Sequence, residues 1–467
     1  MEKFVSRMLG ITALVCTLVV GHPAAARTYR LADLLEKVGR EYAGVQAAQE
    51  GQHMAEAQLS QANRLWAPTG EVTFGITGSP DIKCTDGNAS GIVSPDQRYR
   101  ERNCIATTAT DLRSTSKLAI LPLHGVALNV QARILQPLYT FGKIESAQAL
   151  AHAAVDNAKA QVEKDRNEAR LNALRAYYGL KLARAAKGTL DDGKGQLASW
   201  VTKIDSDIDK GKSAYSESDL IRLKIALDNA ELVGLDFERT LEFALGAIRY
   251  LTNDPEADID GDDLDDVELV DQPLSFYQDT ARLHRPEARM LDAGRAATAA
   301  NRRLQIAQML PDLGLATSVG YGLATGVDDP QSAFVNRPNF LGAGLALVAR
   351  QPLDFALKLG RYDEAKAQER QMAARRDQAL GAIGLEIRKA WLDTVEAKGR
   401  GKVLAHAEKI ARGWYHATDQ ALETGVADSR DVAESARNYV ELRIRHLQSL
   451  MDQNIALAVL RNSAGVL

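Results

Sequence analysis

Two kinds of pattern alternate along this chain: short stretches in which apolar residues recur at every second position, and long ones in which they recur every third or fourth. The first kind predicts strands with unlike faces and the second predicts helices. Four segments alternate, about 72–78, 128–138, 315–323 and 343–351. In the second of them Leu128, Val130, Ala132 and Ile134 interleave with Asn129, Gln131 and Arg133, giving one face fit for lipid and one for water. Everything else reads as helix. Residues 143–210 contain no proline, much alanine and evenly spread charge, which predicts a helix of about 100 Å at about 1.5 Å per residue. Within it Ala169, Ala173, Ala176, Leu180 and Ala183 form one stripe, with Leu171, Leu174 and Tyr178 beside it. Two adjacent seams suit a helix with neighbours on both sides; a two-stranded coiled coil, the alternative, needs one.

The pattern is written twice. Pro68 is answered by Pro311, each at the end of a helical stretch and just before an alternating one, and the same offset lays Ala43 on Pro286 at similar helix starts. Further on, Gln136-Pro137-Leu138 is answered by Gln351-Pro352-Leu353, and Gly142 by Gly360, the latter needing three extra residues in the second half. A duplicated unit is the simplest origin. The expected layout is a leader at 1–26, a first repeat at 27–252, a linker at 253–273 and a second repeat at 274–467.

The leader carries Lys3 and Arg7, an apolar stretch from Met8 to Val20 and Ala24-Ala25-Ala26, the pattern of a secretory signal peptide cleaved after Ala26. Cys16 lies inside that stretch, without the small residues that a lipoprotein cleavage site needs before it. Removing Lys3, Arg7 and Glu2 changes the net charge from −4 to −5 and leaves two cysteines, Cys84 and Cys104. Both fall between predicted strands of an exported chain, so a disulfide is expected, contributing about 3 kcal/mol through loop closure; two free thiols are the alternative. No apolar run is long enough for a transmembrane helix. If the chain crosses a membrane it does so as strands, and four strands cannot close a barrel, so oligomerisation would follow. Half-buried hairpins in a water-soluble protein are the competing reading.

Candidate chemistry is sparse. The long helices end in turns at Lys210-Gly211-Lys212-Ser213 and Thr424-Gly425-Val426-Ala427, and Ser218-Asp219-Leu220 and Ser429-Arg430-Asp431-Val432 open the returning helices. Capping of free amides explains a Ser and an Asp at a helix start. Asp431 and Glu434 add something else, because like charges three apart on one face cost stability. The acidic stretch Asp258-Ile259-Asp260-Gly261-Asp262 suggests calcium, but its glycine is misplaced and the twelfth position is not acidic, which favours a solvated linker. Scattered histidines, no catalytic constellation and no phosphate-cradling loop give an enzyme nothing to rest on; no cofactor, metal or nucleic acid is expected.

On Gln136-Pro137-Leu138-Tyr139-Thr140-Phe141-Gly142-Lys143, its counterpart around Gln351-Pro352-Leu353, and the glycine turns followed by Asp and a hydrophobe, the chain resembles the TolC-like outer-membrane efflux and secretion channels of Gram-negative bacteria. The resemblance implies a mainly helical fold with a membrane β-barrel. Each of two repeats runs helix, strand, strand, long helix, helix, and a homotrimer builds a twelve-stranded barrel in outer-membrane lipid on a periplasmic barrel of helices. It implies adaptor docking at the helix tips (Gly211, Ser213, Asp219, Leu220, Gly425, Asp431, Val432) and a ring of Asp431 and Glu434 carboxylates at the periplasmic aperture. It also implies work with a membrane-fusion adaptor and an inner-membrane transporter, small-molecule efflux being the first expectation and type I protein secretion the second. A periplasmic helical interaction protein without a pore is the reading from another class. Leu422 and Ala427 depart from the polar residues that tie the tips closed in some members.

Overall fold

The computed structural model describes residues 27–80, 82–86, 102–106, 123–210, 216–261, 263–264, 272–325, 340–423, 426 and 429–467. The leader and the turn residues Gly211, Ser213, Gly425 and Ala427 lie outside them. In chain order the elements are β1 (Arg27–Tyr29), α1 (Leu31–Glu41), α2 (Ala43–Asn63), β2 (Thr69–Pro80), β3 (Ile82–Asp86), β4 (Arg102–Ala106), β5 (Leu123–Tyr139), α3 (Lys143–Asp209) and α4 (Glu217–Thr252). The second half follows with β6 (Ala257–Ile259), α5 (Leu274–His284), α6 (Pro286–Ala307), β7 (Asp312–Ala324), β8 (Phe340–Arg350), α7 (Phe355–Glu423) and α8 (Ser429–Ser463). The chain forms two compact units, one from residues 27–50, 160–288 and 380–467, the other from 51–159 and 289–379.

In the second of these units a four-stranded antiparallel sheet has the order β2-β5-β7-β8. Register explains the alternation. Val72, Ala132, Val319 and Ala343 form one cross-strand row, and Phe74, Val130, Tyr321 and Leu341 another, all on one face because side chains alternate with period two. The opposite face carries Glu71, Arg133, Ser318 and Gly344 in a single row. On the apolar face Phe74, Leu341 and Leu345 are more than 70% exposed, so none of the described residues covers them. Strands β2 and β8 are the two edges. Each strand is longer than its alternating segment, since pairing continues where alternation fades. Beyond β2, β3 and β4 make a separate two-stranded sheet.

Where helix gives way to sheet, the two repeats use the same glutamine hydrogen bonds. The Gln136 amide donates to the carbonyls of Trp66 (2.7 Å) and Pro137 (2.9 Å), while the Gln351 amide donates to Met309 (2.9 Å) and Pro352 (3.0 Å). Seven residues beyond each glutamine stands a lysine. Lys143 reaches the Leu310 carbonyl (2.9 Å) and Asp312 (2.5 Å), and Lys358 reaches the Gln308 carbonyl (2.8 Å) and Asp354 (3.0 Å). This equivalence corrects the sequence alignment: the repeats run in step through here, and no three-residue insertion precedes Gly360. Gly142 has φ +91 in the turn before α3, a conformation glycine adopts without a Cβ penalty. Gly360 lies inside α7, which begins at Phe355 and so starts earlier than α3 relative to the shared lysine.

The first unit holds the helical cores. Both seams foreseen on α3 are occupied: Ala169, Ala173 and Leu180 pack with Leu34 and Val38 of α1 and Ile248 of α4, while Leu171 and Leu174 pack with Ala458 of α8. The second repeat has its own cluster of Tyr277, Ala281, Ile387 and Leu460. The expected solvated linker is instead packed over its first part. Strand β6 pairs in parallel with β1 and buries Ala257 and Ile259. Tyr29 donates to Asp254 (2.8 Å), and the Arg184 guanidinium meets Asp258 (2.5 Å). That tyrosine hydroxyl is the main reason the Asp254 carboxyl sits below the usual range; burial opposes it, and the Glu256 amide and Lys37 assist. Period and charge could not reveal this, because β6 is a three-residue strand whose partner lies more than two hundred residues away.

Candidate functional site

The candidate site lies where the long helices turn back, in the first unit. Helix α4 is opened by a capping box. Ser216 is the cap, with the Asp219 amide donating to its Oγ (3.3 Å) and its own amide and hydroxyl donating to Asp219 Oδ2 (2.9 and 2.6 Å). Asp219 is therefore engaged in holding the helix start, which also places its charge at the favourable end of the dipole. Leu220, next to it, is buried.

In α8, Asp431 sits in the first turn, where the dipole stabilises it, and Glu434 lies one turn later on the same face. Both are exposed, whereas the neighbouring Val432 and Ser435 are fully buried. The carboxylates thus lie about 100° round the helix from the side that packs, flanking it on the exposed surface.

Beneath the turns a single apolar cluster joins the two helical hairpins: Trp200 and Ile204 of α3, Leu220 and Leu223 of α4, Leu422 of α7 and Val432 of α8, all buried. Trp200 is 5% exposed. Tyr415 of α7 lies with its ring centroid 6.2 Å from that of Trp200 and stacks on Tyr439 of α8 at 5.5 Å with planes 9° apart. Burial, followed by the nearby Asp419 and Tyr439, pushes the Tyr415 hydroxyl up from its ordinary pKa. Thr418 and Ser435 share a hydroxyl hydrogen bond of 2.6 Å across the same seam. Further along α7 and α8 a buried carboxylate, Glu408, accepts from Arg443 (3.0 Å) and pairs with His446.

Among the residues expected at the tips, the structure thus brings Leu220 and Val432 together in the cluster, leaves Asp431 exposed beside Glu434, and gives Asp219 to the cap. Sequence reasoning missed Trp200, Tyr415, Tyr439 and the Glu408 pair. The one available signal was an indole and two phenols within reach of the turns on otherwise alanine-rich helices. Among the described residues no cluster of metal-ligating side chains is found, and no helix is long and apolar enough to cross a membrane.

Residues 278–466, almost all of the second repeat, match the family model described as outer membrane efflux protein. Those residues belong to that family. The TolC-like resemblance read from the helix-to-sheet junction and the turns is borne out there. Among curated proteins nothing matches the chain. Solved structures extend the likeness in fold across both repeats. The CmeC outer membrane channel of Campylobacter jejuni superimposes with a TM-score of 0.73 at 14% identity, covering 93% of this chain and 85% of that one. The outer membrane protein VceC of Vibrio cholerae gives 0.70 at 15% identity, covering 93% and 96%. The open state of the MtrE outer membrane channel of Neisseria gonorrhoeae gives 0.70 at 15%, covering 93% and 89%. At these identities the likeness concerns the fold, shared here over nearly the whole length.

Proposed function

We propose that this protein is the outer-membrane exit channel of a tripartite export system, taking small molecules from an inner-membrane pump through a periplasmic adaptor to the exterior. The observation that carries the reading is the sheet: four antiparallel strands, two edge strands, and an apolar face whose Phe74, Leu341 and Leu345 no described residue covers. Such a sheet satisfies its backbone in lipid only when closed. Three copies supply twelve strands, enough for a barrel, where one copy supplies too few. The helices support the same homotrimer. Helix α3 contacts α4 through Lys187–Glu238, and α7 contacts α8 through Arg443–Glu408. Yet α4 also exposes Ile221, Ile225, Leu232 and Phe243, and α7 exposes Leu385, Leu392, Val403 and Ile410. Two uncovered apolar stripes on different helices suit a head-to-tail contact that closes into a ring.

Transport in this reading needs no chemistry by the channel; energy comes from the pump. Three copies would set Asp431 and Glu434 as six carboxylates around the aperture, favouring cations and repelling anions. Their exposure, beside the buried Val432, supports that role. The D431A/E434A double variant is expected to lose cation preference in single-channel recordings while assembling normally. Unchanged selectivity would sink the assignment. The docking role proposed for the turns then falls on their exposed residues, such as Val426, which is 82% exposed, rather than on buried Leu220 and Val432.

A deletion strain compared with its parent tests the substrate class. Sensitisation to dyes, detergents, antibiotics or metals with an unchanged secretome is expected. Loss of one exported protein without sensitisation would make this the exit of a type I secretion system. Recovery from the periplasm as a detergent-independent soluble protein would refute the channel altogether and leave a helical interaction protein.

A further inference from the structure

The long excursion between β2 and β5 contains the short ladder of β3 with β4, paired Ile82↔Ala106, Lys83↔Ile105, Cys84↔Cys104, Thr85↔Asn103 and Asp86↔Arg102. Both cysteines that remain after the leader therefore occupy the same rung. Directly opposed residues of an antiparallel pair have Cα atoms about 4.5 or about 5.5 Å apart, depending on the type of rung. Either spacing falls inside the range of about 4.4–6.8 Å that a disulfide spans without moving the backbone. A register slip by one residue on either strand would remove the pairing, so the coincidence is specific to this ladder.

A second observation gives the link a purpose. The ladder has five pairs and is joined to no other strand among the described residues, and an isolated two-stranded hairpin is marginal in water. The rung Asp86↔Arg102 sets opposite charges across the pair, a weak help.

We infer that Cys84 and Cys104 form a cross-strand disulfide that pins this hairpin in register. The inference rests on the export reading above, because thiols stay reduced in the cytoplasm and oxidise in the cell envelope. Two S–H bonds break and one S–S bond forms. The two protons and the two electrons pass to a thiol–disulfide exchange oxidant, whose own disulfide becomes two thiols.

The test uses the full chain with its own leader, expressed in a Gram-negative host. Cells are quenched in acid, envelopes are separated from cytosol, and the denatured chain is treated with a maleimide-linked polyethylene glycol before and after reduction, with sites mapped by peptide mass. Expected is no adduct on Cys84 or Cys104 before reduction and one on each afterwards, with monomer mobility throughout. In C84S, Cys104 should be labelled without reductant, and in C104S, Cys84 should be. Envelope chain labelled at both sites without reduction, or linked to other chains through either cysteine, overturns the inference. Chain found only in the cytosol would instead overturn the export reading. The pairing is then decided on purified chain with oxidised glutathione: a mass lower by two hydrogens upholds it, and one glutathione on each cysteine refutes it.

Discussion

Replacing Leu345 by arginine is expected to destabilise the assembled protein by about 2–4 kcal/mol in a bilayer, the cost of a charge on the lipid face of a barrel near its midplane. Leu345 lies in the middle of β8, on the face shared with Leu341 and Leu347, and is 71% exposed in the single chain. If that exposure were to water, a surface substitution would change stability by no more than about 0.5 kcal/mol. The two environments thus differ by a factor that denaturant unfolding from lipid vesicles resolves easily. The matched control is T73R, on the opposite face of β2, where Glu71 and Arg133 already stand. It should be tolerated. A similar cost on both faces, or on neither, would refute a barrel with lipid outside and water inside.

The second large effect concerns the cluster under the turns. Trp200→Ala should cost about 3–5 kcal/mol, the usual result of removing a buried indole and leaving a cavity. The loss is local, because the other members of the cluster sit on four different helix segments whose remaining cores are elsewhere. The expected readouts are early proteolysis near the α7–α8 turn and a raised basal conductance in planar bilayers. Leu422→Ala should act in the same direction, and the double variant should fall short of the sum, since both side chains contribute to one cluster. The two hairpins are joined here through carbon rather than through charge. An apolar seam that gains strength with salt and weakens on cooling would distinguish it from a polar latch, which salt screens. Wild-type conductance in W200A would show that this cluster does not hold the turns together.

Where one physical rule acts over a short window, the sequence was legible. Helix α3 was expected at 143–210 and runs over Lys143–Asp209, because a proline-free, alanine-rich stretch has no competing structure. The ungapped match of Ala43 with Pro286 does mark two helix starts, α2 and α6. The two seams of α3 were visible because small residues at helical spacing have one use when they are this long continued. What escaped depended on partners remote in the chain. Strand β6 exists because β1 lies beside it, and Ser216 rather than Ser218 caps α4 because backbone geometry, not residue type alone, selects the cap. Matching Gly142 with Gly360 fails for a related reason: the equivalence is marked by the shared Gln hydrogen bonds and by a lysine seven residues beyond each glutamine, not by glycine. Burial of Glu408 beside His446 and Arg443 left no trace in composition, since charged residues on a helix read as solvated until a second helix is known to cover them.

The twin lysines carry one more implication. Lys143 extends from the first repeat to the α6–β7 junction of the second, grasping Leu310 and Asp312, but Lys358 folds back on Gln308 and Asp354 of its own repeat. A duplicated sequence laid out in a line has one internal seam and one loose end, and these side chains record the difference. In a closed circle there is no last repeat: every repeat has a successor, and for the second repeat that successor is the first repeat of another molecule. In the proposed ring, joining would exchange the contacts Lys358 makes within one chain for those of a neighbour.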